Sequence, residues 1–319
     1  MKRLITLILA MSVMVLAGCG KKEQAGEVKE SKIKVGFAQE SNSAPWRIAE
    51  SESIKSEAEK RGYQLIFTNA EGQTAKQVSD IEDLIAQGVD YIVLAPREYE
   101  GLTPALMSAK EAGIPVILVD REAAGVPGED YVTLIASDFV WEGEEAARWL
   151  AEQKEGKINI VELKGTAGSS VANDRSKGFR NIVDSNSNLE IVSAQIADFS
   201  RAEAQKVMTN IIQAKGAGNI NAVYAHNDEM ALGAIKALKA ANIEPGKDVL
   251  VIGIDGQKDA VDAIKSGEMS ATVTCSPFFG PATFDVIEKL EKGETVPTSI
   301  VNKDVLYDSK NVHEYTNPF

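Results

Sequence analysis

The chain has 319 residues, 44% hydrophobic and 25% charged, with 34 Lys and Arg against 47 Asp and Glu and a formal net charge of -13. That composition excludes a disordered, collagen-like or multi-span membrane chain, and at roughly 100 to 200 residues per domain the length predicts two domains. The acidic balance offers no basic field for nucleic acid, and two Cys and two His are too few for a structural zinc site or a disulfide framework.

Met1-Lys2-Arg3 gives a positive start, Leu4 to Leu16 is an almost unbroken apolar run, and Leu16-Ala17-Gly18-Cys19 follows at once. The run falls short of the about 20 residues a membrane span needs, so residues 1–18 read as a secretory signal peptide. Leu16–Cys19 resembles a bacterial lipobox, which makes Cys19 the expected lipid anchor of an extracytoplasmic protein, tethered to its membrane by the polar stretch 19–31. Cys275 is then the remaining thiol, expected as a small buried hydrophobe.

From Ile33 onward, short apolar runs alternate with amphipathic stretches, the pattern of a parallel sheet covered by helices on both faces. Strands are predicted at 33–38, 63–68, 91–94, 116–119 and 131–136, with helices at 46–62, 74–88, 102–113 and 141–153. Gly88 and Gly113 stand where helix C-caps belong. The rhythm restarts with strands at 158–163, 190–197, 222–225, 249–254 and 270–274, and helices at 170–184, 202–214, 229–241 and 259–266. A helix at 281–292 and a closing strand near 299–305 end the chain. The fold class is α/β, with two doubly wound, Rossmann-like lobes.

In open α/β sheets, ligands lie beyond the carboxyl ends of the strands. The residues found there are Gln39-Glu40-Ser41-Asn42, followed by Trp46-Arg47, and then Asp120-Arg121. In the second series they are Arg175, Phe199, Asn227-Asp228 and Asp255. Such a set suits a neutral polyhydroxylated molecule. Carboxylates accept from hydroxyls, guanidinium donates in a fixed fork, Asn does both, and aromatic faces pack on C–H faces. Asp120, Asp228 and Asp255 offset Arg47, Arg121 and Arg175, as a neutral ligand requires. Each residue also has a plainer role: an ion pair at 120–121, a helix N-cap at 227 or 228, a turn at 255–256, core packing for Trp46 and Phe199. Their joint recurrence at strand ends favours a site. Gly216-Ala217-Gly218 precedes a strand and so is no dinucleotide fingerprint, and Gly165-Thr166-Ala167-Gly168 lacks the Gly-Lys-Ser/Thr continuation of a phosphate loop.

Four segments, VDR (Val119–Arg121), NDRSKGF (Asn173–Phe179), AHNDEMALGA (Ala225–Ala234) and GIDG (Gly253–Gly256), resemble the sugar-binding receptors of bacterial ABC importers. These are periplasmic binding proteins of the ribose/galactose type, and the resemblance covers nearly everything after Ile33. Trp46-Arg47, SEAEKRG (Ser56–Gly62), VELKGTAGSSVANDR (Val161–Arg175) and VYAHNDEM (Val223–Met230) most resemble the galactofuranose-binding receptor.

The resemblance implies a type I binding protein rather than an enzyme, with lobes 32–137 plus 275–302 and 138–274 plus 303–319 joined by three crossings near 137–138, 274–276 and 302–304. It implies sugar hydrogen bonds from Asp120, Arg121, Arg175, Asn227 and Asp255, and aromatic walls from Trp46 and Phe199. The loop after the first strand, which varies with the sugar, adds Gln39, Glu40 and Arg47. Cys275 stands where ribose receptors carry Gln, which points away from ribose and toward a furanose aldose such as galactofuranose or arabinofuranose. The implied partners are a monosaccharide and an ABC permease of the cytoplasmic membrane, with no cofactor, metal or nucleic acid, and the protein a monomer. A chemotaxis or signal receptor on the same fold, or a glycan-processing α/β enzyme, stays open as an alternative. A lac-type repressor does not, because an apolar segment and tether stand where its helix-turn-helix belongs.

Overall fold

The structure is a computed structural model and describes residues 32–153 and 156–319. The expected signal peptide, lipid anchor at Cys19 and tether lie outside the described residues.

The first half of the chain runs β1 (Lys34–Gln39), α1 (Pro45–Arg61), β2 (Gln64–Asn69), α2 (Thr74–Ala86), β3 (Tyr91–Ala95), α3 (Thr103–Glu111), β4 (Val116–Val119) and β5 (Thr133–Ser137). The second runs α4 (Phe139–Ala151), β6 (Ile158–Lys164), α5 (Ser170–Val183), β7 (Leu189–Ile196), α6 (Arg201–Lys215), β8 (Ala222–Ala225), α7 (Asp228–Ala240), β9 (Leu250–Asp255), α8 (Lys258–Lys265) and β10 (Ala271–Thr274). Then come α9 (Gly280–Glu291), β11 (Ser299–Asn302) and β12 (Leu306–Asp308). One sheet has the order β11-β5-β4-β3-β1-β2, the other β12-β10-β9-β8-β6-β7. The two orders are the same pattern of strands, each with its reversal point beside β1 or β6, where this architecture opens a crevice.

The closing strand expected near 299–305 is two strands. β11 joins the first sheet in parallel with β5, and β12 joins the second antiparallel to β10. Lys303 to Val305 carry the chain between them, so its apolar residues serve two sheets. The chain also passes between sheets after Ser137 and again after Thr274, which with this third passage makes three crossings.

The strands read as continuous apolar runs because helices cover both faces; all four residues of β4, Val116–Val119, are buried. Helix starts differ between the lobes. α1, α3 and α9 carry proline at the first or second helical position, where its fixed φ suits the first turn. α4, α5, α6 and α7 are capped by the side chains of Asp138, Ser169, Ser200 and Asn227, each satisfying an orphan N–H and contributing about 1 kcal/mol. Gly88 and Gly113 follow α2 and α3 with φ of 64° and 72°, as expected of helix ends.

Helices α4 and α5 touch backbone to backbone. A Cβ on Gly143 would lie 2.3 Å from the Arg175 carbonyl oxygen, and one on Gly178 1.9 Å from that of Val140. Only glycine permits this approach, and it fixes the part of α5 that carries Arg175. Among the described residues, no helix is long and apolar enough to cross a membrane.

Candidate binding site

A cavity of about 560 Å³ lies between the carboxyl ends of the two sheets, within the roughly 300–1,000 Å³ typical of small-molecule sites. Glu40, Trp46, Arg47, Asp120, Arg121, Arg175, Phe199, Asn227 and Asp255 all line it. Gln39 does not. Its side chain is fully buried behind the wall, donating to Glu50 Oε2 at 2.9 Å and Ser51 Oγ at 3.1 Å. Neighbouring strand residues point to opposite sides, so with Glu40 facing the cavity Gln39 faces α1. Asp228 likewise turns away, accepting from the Gln257 amide at 2.9 Å and Thr272 Oγ1 at 2.8 Å.

On the first-sheet side, Arg47 is the centre of a carboxylate cage. Its Nη2 donates to Asp120 Oδ2 at 2.5 Å and its Nη1 to Glu50 Oε2 at 2.7 Å, while Nε lies 3.2 Å from Glu40 Oε1. Arg121 donates to the Arg97 carbonyl at 3.0 Å and approaches Asp120 at 3.5 Å and Glu40 at 3.7 Å. Burial pushes the Glu40 carboxyl up, but Arg121, Arg47 and Arg97 outweigh it and hold the group below the usual range. Glu50, at the back of the cage, is pushed up to about 7 by burial against the pull of Arg47. Trp46 is pinned to a crossing segment, its Nε1 donating to the Cys275 carbonyl at 2.8 Å, with the Arg47 guanidinium 4.7 Å over its ring.

On the second-sheet side, Arg175 is 3% exposed. It donates from Nε to Glu142 Oε2 at 2.7 Å and from Nη1 to the His226 carbonyl at 2.5 Å, with Nη2 3.7 Å from Asp255. Burial pushes Glu142 up to about 7 despite Arg175, and raises Asp255 well above its ordinary value, with Asp228 and Glu142 adding to the rise. Asn227 fills both roles open to it. Its Oδ1 caps α7 by accepting from the Met230 amide at 3.0 Å, and its Nδ2 donates to the Phe199 carbonyl at 3.4 Å beside the cavity. Phe199 lies over Gly165, where a Cβ would come within 2.0 Å of the ring. Its ring stands 5.4 Å from the Arg121 guanidinium of the other lobe, a cation–π distance across the cleft.

Six non-glycine residues among those described have positive φ, and five of them line this cavity: Glu71, Asp120, Asp198, Phe199 and Asp255. Strain of about 1–3 kcal/mol per residue is characteristic of sites where side-chain direction matters more than local stability.

The sequence reading missed Arg97, Asp198, Arg201 and Glu229 among the lining residues, and Glu142 and His226 behind Arg175. Arg97 follows β3 by two residues, so the strand-end rule applied to every strand finds it. His226 and Glu162 form a buried pair at 3.1 Å. Burial lowers the imidazole pKa more than Glu162 raises it, so His226 serves as a neutral strut beneath Arg175.

Residues 35–295 match the periplasmic binding protein domain family. The galactofuranose-binding protein of Escherichia coli (strain K12) is 41% identical over 278 residues, covering 86% of this chain and 87% of that protein. The ribose import binding protein of Bacillus subtilis (strain 168) is 37% identical over 308 residues, covering 94% and 97%. The arabinose ABC transporter's periplasmic binding protein component from Shewanella sp. ANA-3, solved with alpha and beta-L-arabinofuranose, superposes with a TM-score of 0.85 at 38% identity, covering 88% of this chain and 93% of that one. This chain therefore belongs to the periplasmic binding protein family, and its paired parallel sheets are that family's type I fold.

Proposed function

We propose that this protein captures a neutral aldose in its furanose form, such as arabinofuranose or galactofuranose, and delivers it to an ABC importer from outside the cytoplasmic membrane, held there by a lipid on Cys19. The observation that carries the reading is the composition of the cavity wall. Guanidinium and carboxylate groups from both sheets converge on it with two aromatic side chains, Trp46 and Phe199, and charges of both signs are interlaced, as suits a ligand with hydroxyls and no net charge. Relatives named for galactofuranose and L-arabinofuranose support the furanose choice.

The mechanism is closure without chemistry. Asp120 and Arg121 stand on one lobe, Arg175, Asn227 and Asp255 on the other. A sugar that bonds both sets binds the closed arrangement better than the open one and shifts the population toward it. On the first-sheet side, Arg121, Arg47 and Arg97 hold Glu40 below the usual range, which favours ion pairing over the proton donation a glycosidase needs.

A thermal-shift series with L-arabinose, D-galactose, D-ribose and D-glucose tests the reading, since a ligand at 100 times its Kd adds about 2.7 kcal/mol. L-Arabinose or D-galactose, which hold a minor furanose population in water, should raise the melting temperature. D-Glucose, which holds almost none, should not. A response to glucose alone, or to no sugar, overturns the proposal.

A further inference from the structure

Two hydrogen bonds join the lobes at the rim of the cleft. The Tyr99 amide, in the loop after β3, donates to the Gly168 carbonyl at 3.0 Å, and the Glu122 amide donates to Ser170 Oγ at 3.0 Å. Glu122 directly follows Asp120-Arg121, and Ser170 opens α5, the helix that carries Arg175. The pair therefore ties together the segments that bring the two charged faces of the cavity into register. Ser170 does not line the cavity, and it is not needed as a cap, because Ser169 Oγ already accepts from the Ala172 amide. Ser170 is 6% exposed, so parting the lobes would break this bond and wet the contact.

We propose that Ser170, together with the Tyr99–Gly168 backbone bond, is an affinity-setting latch. It positions the lobes without touching the ligand, and so fixes how much of the binding energy of any sugar survives as affinity. This rests on the closure mechanism above. When only a fraction of the protein is binding-competent, the apparent Kd is the intrinsic Kd divided by that fraction. A change confined to the latch alters the fraction alone, and must move the Kd of every ligand by one common factor.

Ser170→Ala removes the acceptor and Ser170→Thr keeps it. Isothermal titration with L-arabinose and with D-galactose should show both Kd values about three- to tenfold higher in S170A than in the parent, the range of one neutral hydrogen bond. Their ratio should be unchanged, and S170T should lie near the parent. The ligand-free denaturation midpoint should be unchanged, which separates a shifted closure equilibrium from a damaged helix. In small-angle scattering, ligand-free S170A should have a larger radius of gyration than the parent's, and its sugar-saturated form should match the parent's. A Kd that rises for one sugar only would make Ser170 a ligand contact and overturn the latch. So would unchanged Kd values for both sugars, or a rise matched in S170T. If neither sugar binds the parent, the sugar reading fails by itself, and the latch is judged on ligand-free scattering: a larger radius in S170A supports it and an unchanged one overturns it.

Discussion

The two walls of the cleft solve the problem of buried charge in different ways. The first-sheet wall pairs three guanidiniums, Arg47, Arg97 and Arg121, with three carboxylates, Glu40, Glu50 and Asp120, in a lattice where four of the six members have two or three partners. The second-sheet wall sets a single guanidinium, Arg175, against Glu142 and Asp255, while its other arginine, Arg201, is engaged at the edge by Glu229 and Asp259. With one cation for these acids, burial prevails over it: Glu142 is pushed up to about 7 and Asp255 well above its ordinary value, and Asp228, behind the wall, is also pushed up to about 7. The lattice is redundant and, apart from Glu50 at its back, ionic, whereas the acids of the opposite wall hang on one side chain and are raised by burial. A single loss should therefore cost the two walls unequal amounts.

The largest effect is expected from Arg175→Ala at pH 8, above the value of about 7 to which Glu142 is pushed. It leaves Glu142 and Asp255 without a cation and the His226 carbonyl without its donor, the situation in which breaking a buried pair costs about 3–5 kcal/mol. Arg121→Ala should cost the ligand-free protein under about 2 kcal/mol. Asp120 and Glu40 both keep Arg47, at 2.5 Å and 3.2 Å, and the charge removed is one that Arg47 repels, its pKa lowered first by burial and then by that neighbour. Both variants should lose the sugar-induced thermal shift. Urea denaturation of the two ligand-free proteins measures the difference, and equal costs would refute the contrast between walls.

The same contrast explains what the sequence could convey. Runs such as Val-Ile-Leu-Val at 116–119 announce buried parallel strands, and the rule that ligands lie past strand ends points to Asp120, Asn227 and Asp255 from position alone. Gln39 fails that rule because the period of two in a strand turns it to the far side from Glu40. Glu142 was illegible for another reason. It lies 33 residues from Arg175 in the chain and meets it only because Gly143 and Gly178 let two helix backbones touch, a coincidence of packing that no local pattern encodes. The lattice wall is built largely from strand-end loops and the start of α1, and so is readable; the sparse wall depends on tertiary contact, and so is not.

Intermediate effects should come from the protons on the sparse wall. Glu142 has a folded-state pKa near 7, raised by burial above the 4.5 of an unperturbed carboxyl. Between those values the folded protein holds a proton that the unfolded chain has released. Its stabilising contribution is therefore complete below about pH 4.5 and is lost as pH rises through about 7. Glu142→Gln keeps an acceptor for Arg175 and removes the titration. Glu40 and Glu162 are shifted downward and act in the opposite direction, so the quantity to measure is the parent-minus-variant difference in unfolding free energy from pH 4.5 to 8. It should change by on the order of 1–3 kcal/mol, with E142Q gaining on the parent toward high pH. A flat difference would place Glu142 among ordinary ionised carboxylates and remove the proton-rich character of its wall.

The smallest effect is expected where the walls meet, at Phe199. The ring belongs to the second lobe but faces Arg121 of the first at 5.4 Å, so it contributes both a surface for the sugar and a cation–π contact worth about 0.5–2 kcal/mol. Phe199→Ala should weaken sugar binding about tenfold, equivalent to 1.4 kcal/mol. Phe199→Leu separates the two contributions, because it fills much of the same space over Gly165 but offers no π face. Titration of both variants decides between them. If F199L binds as weakly as F199A, the ring face is what joins the walls. If F199L binds like the parent, Phe199 is only apolar filling, and the lobes are held in register by the rim bonds and the ligand.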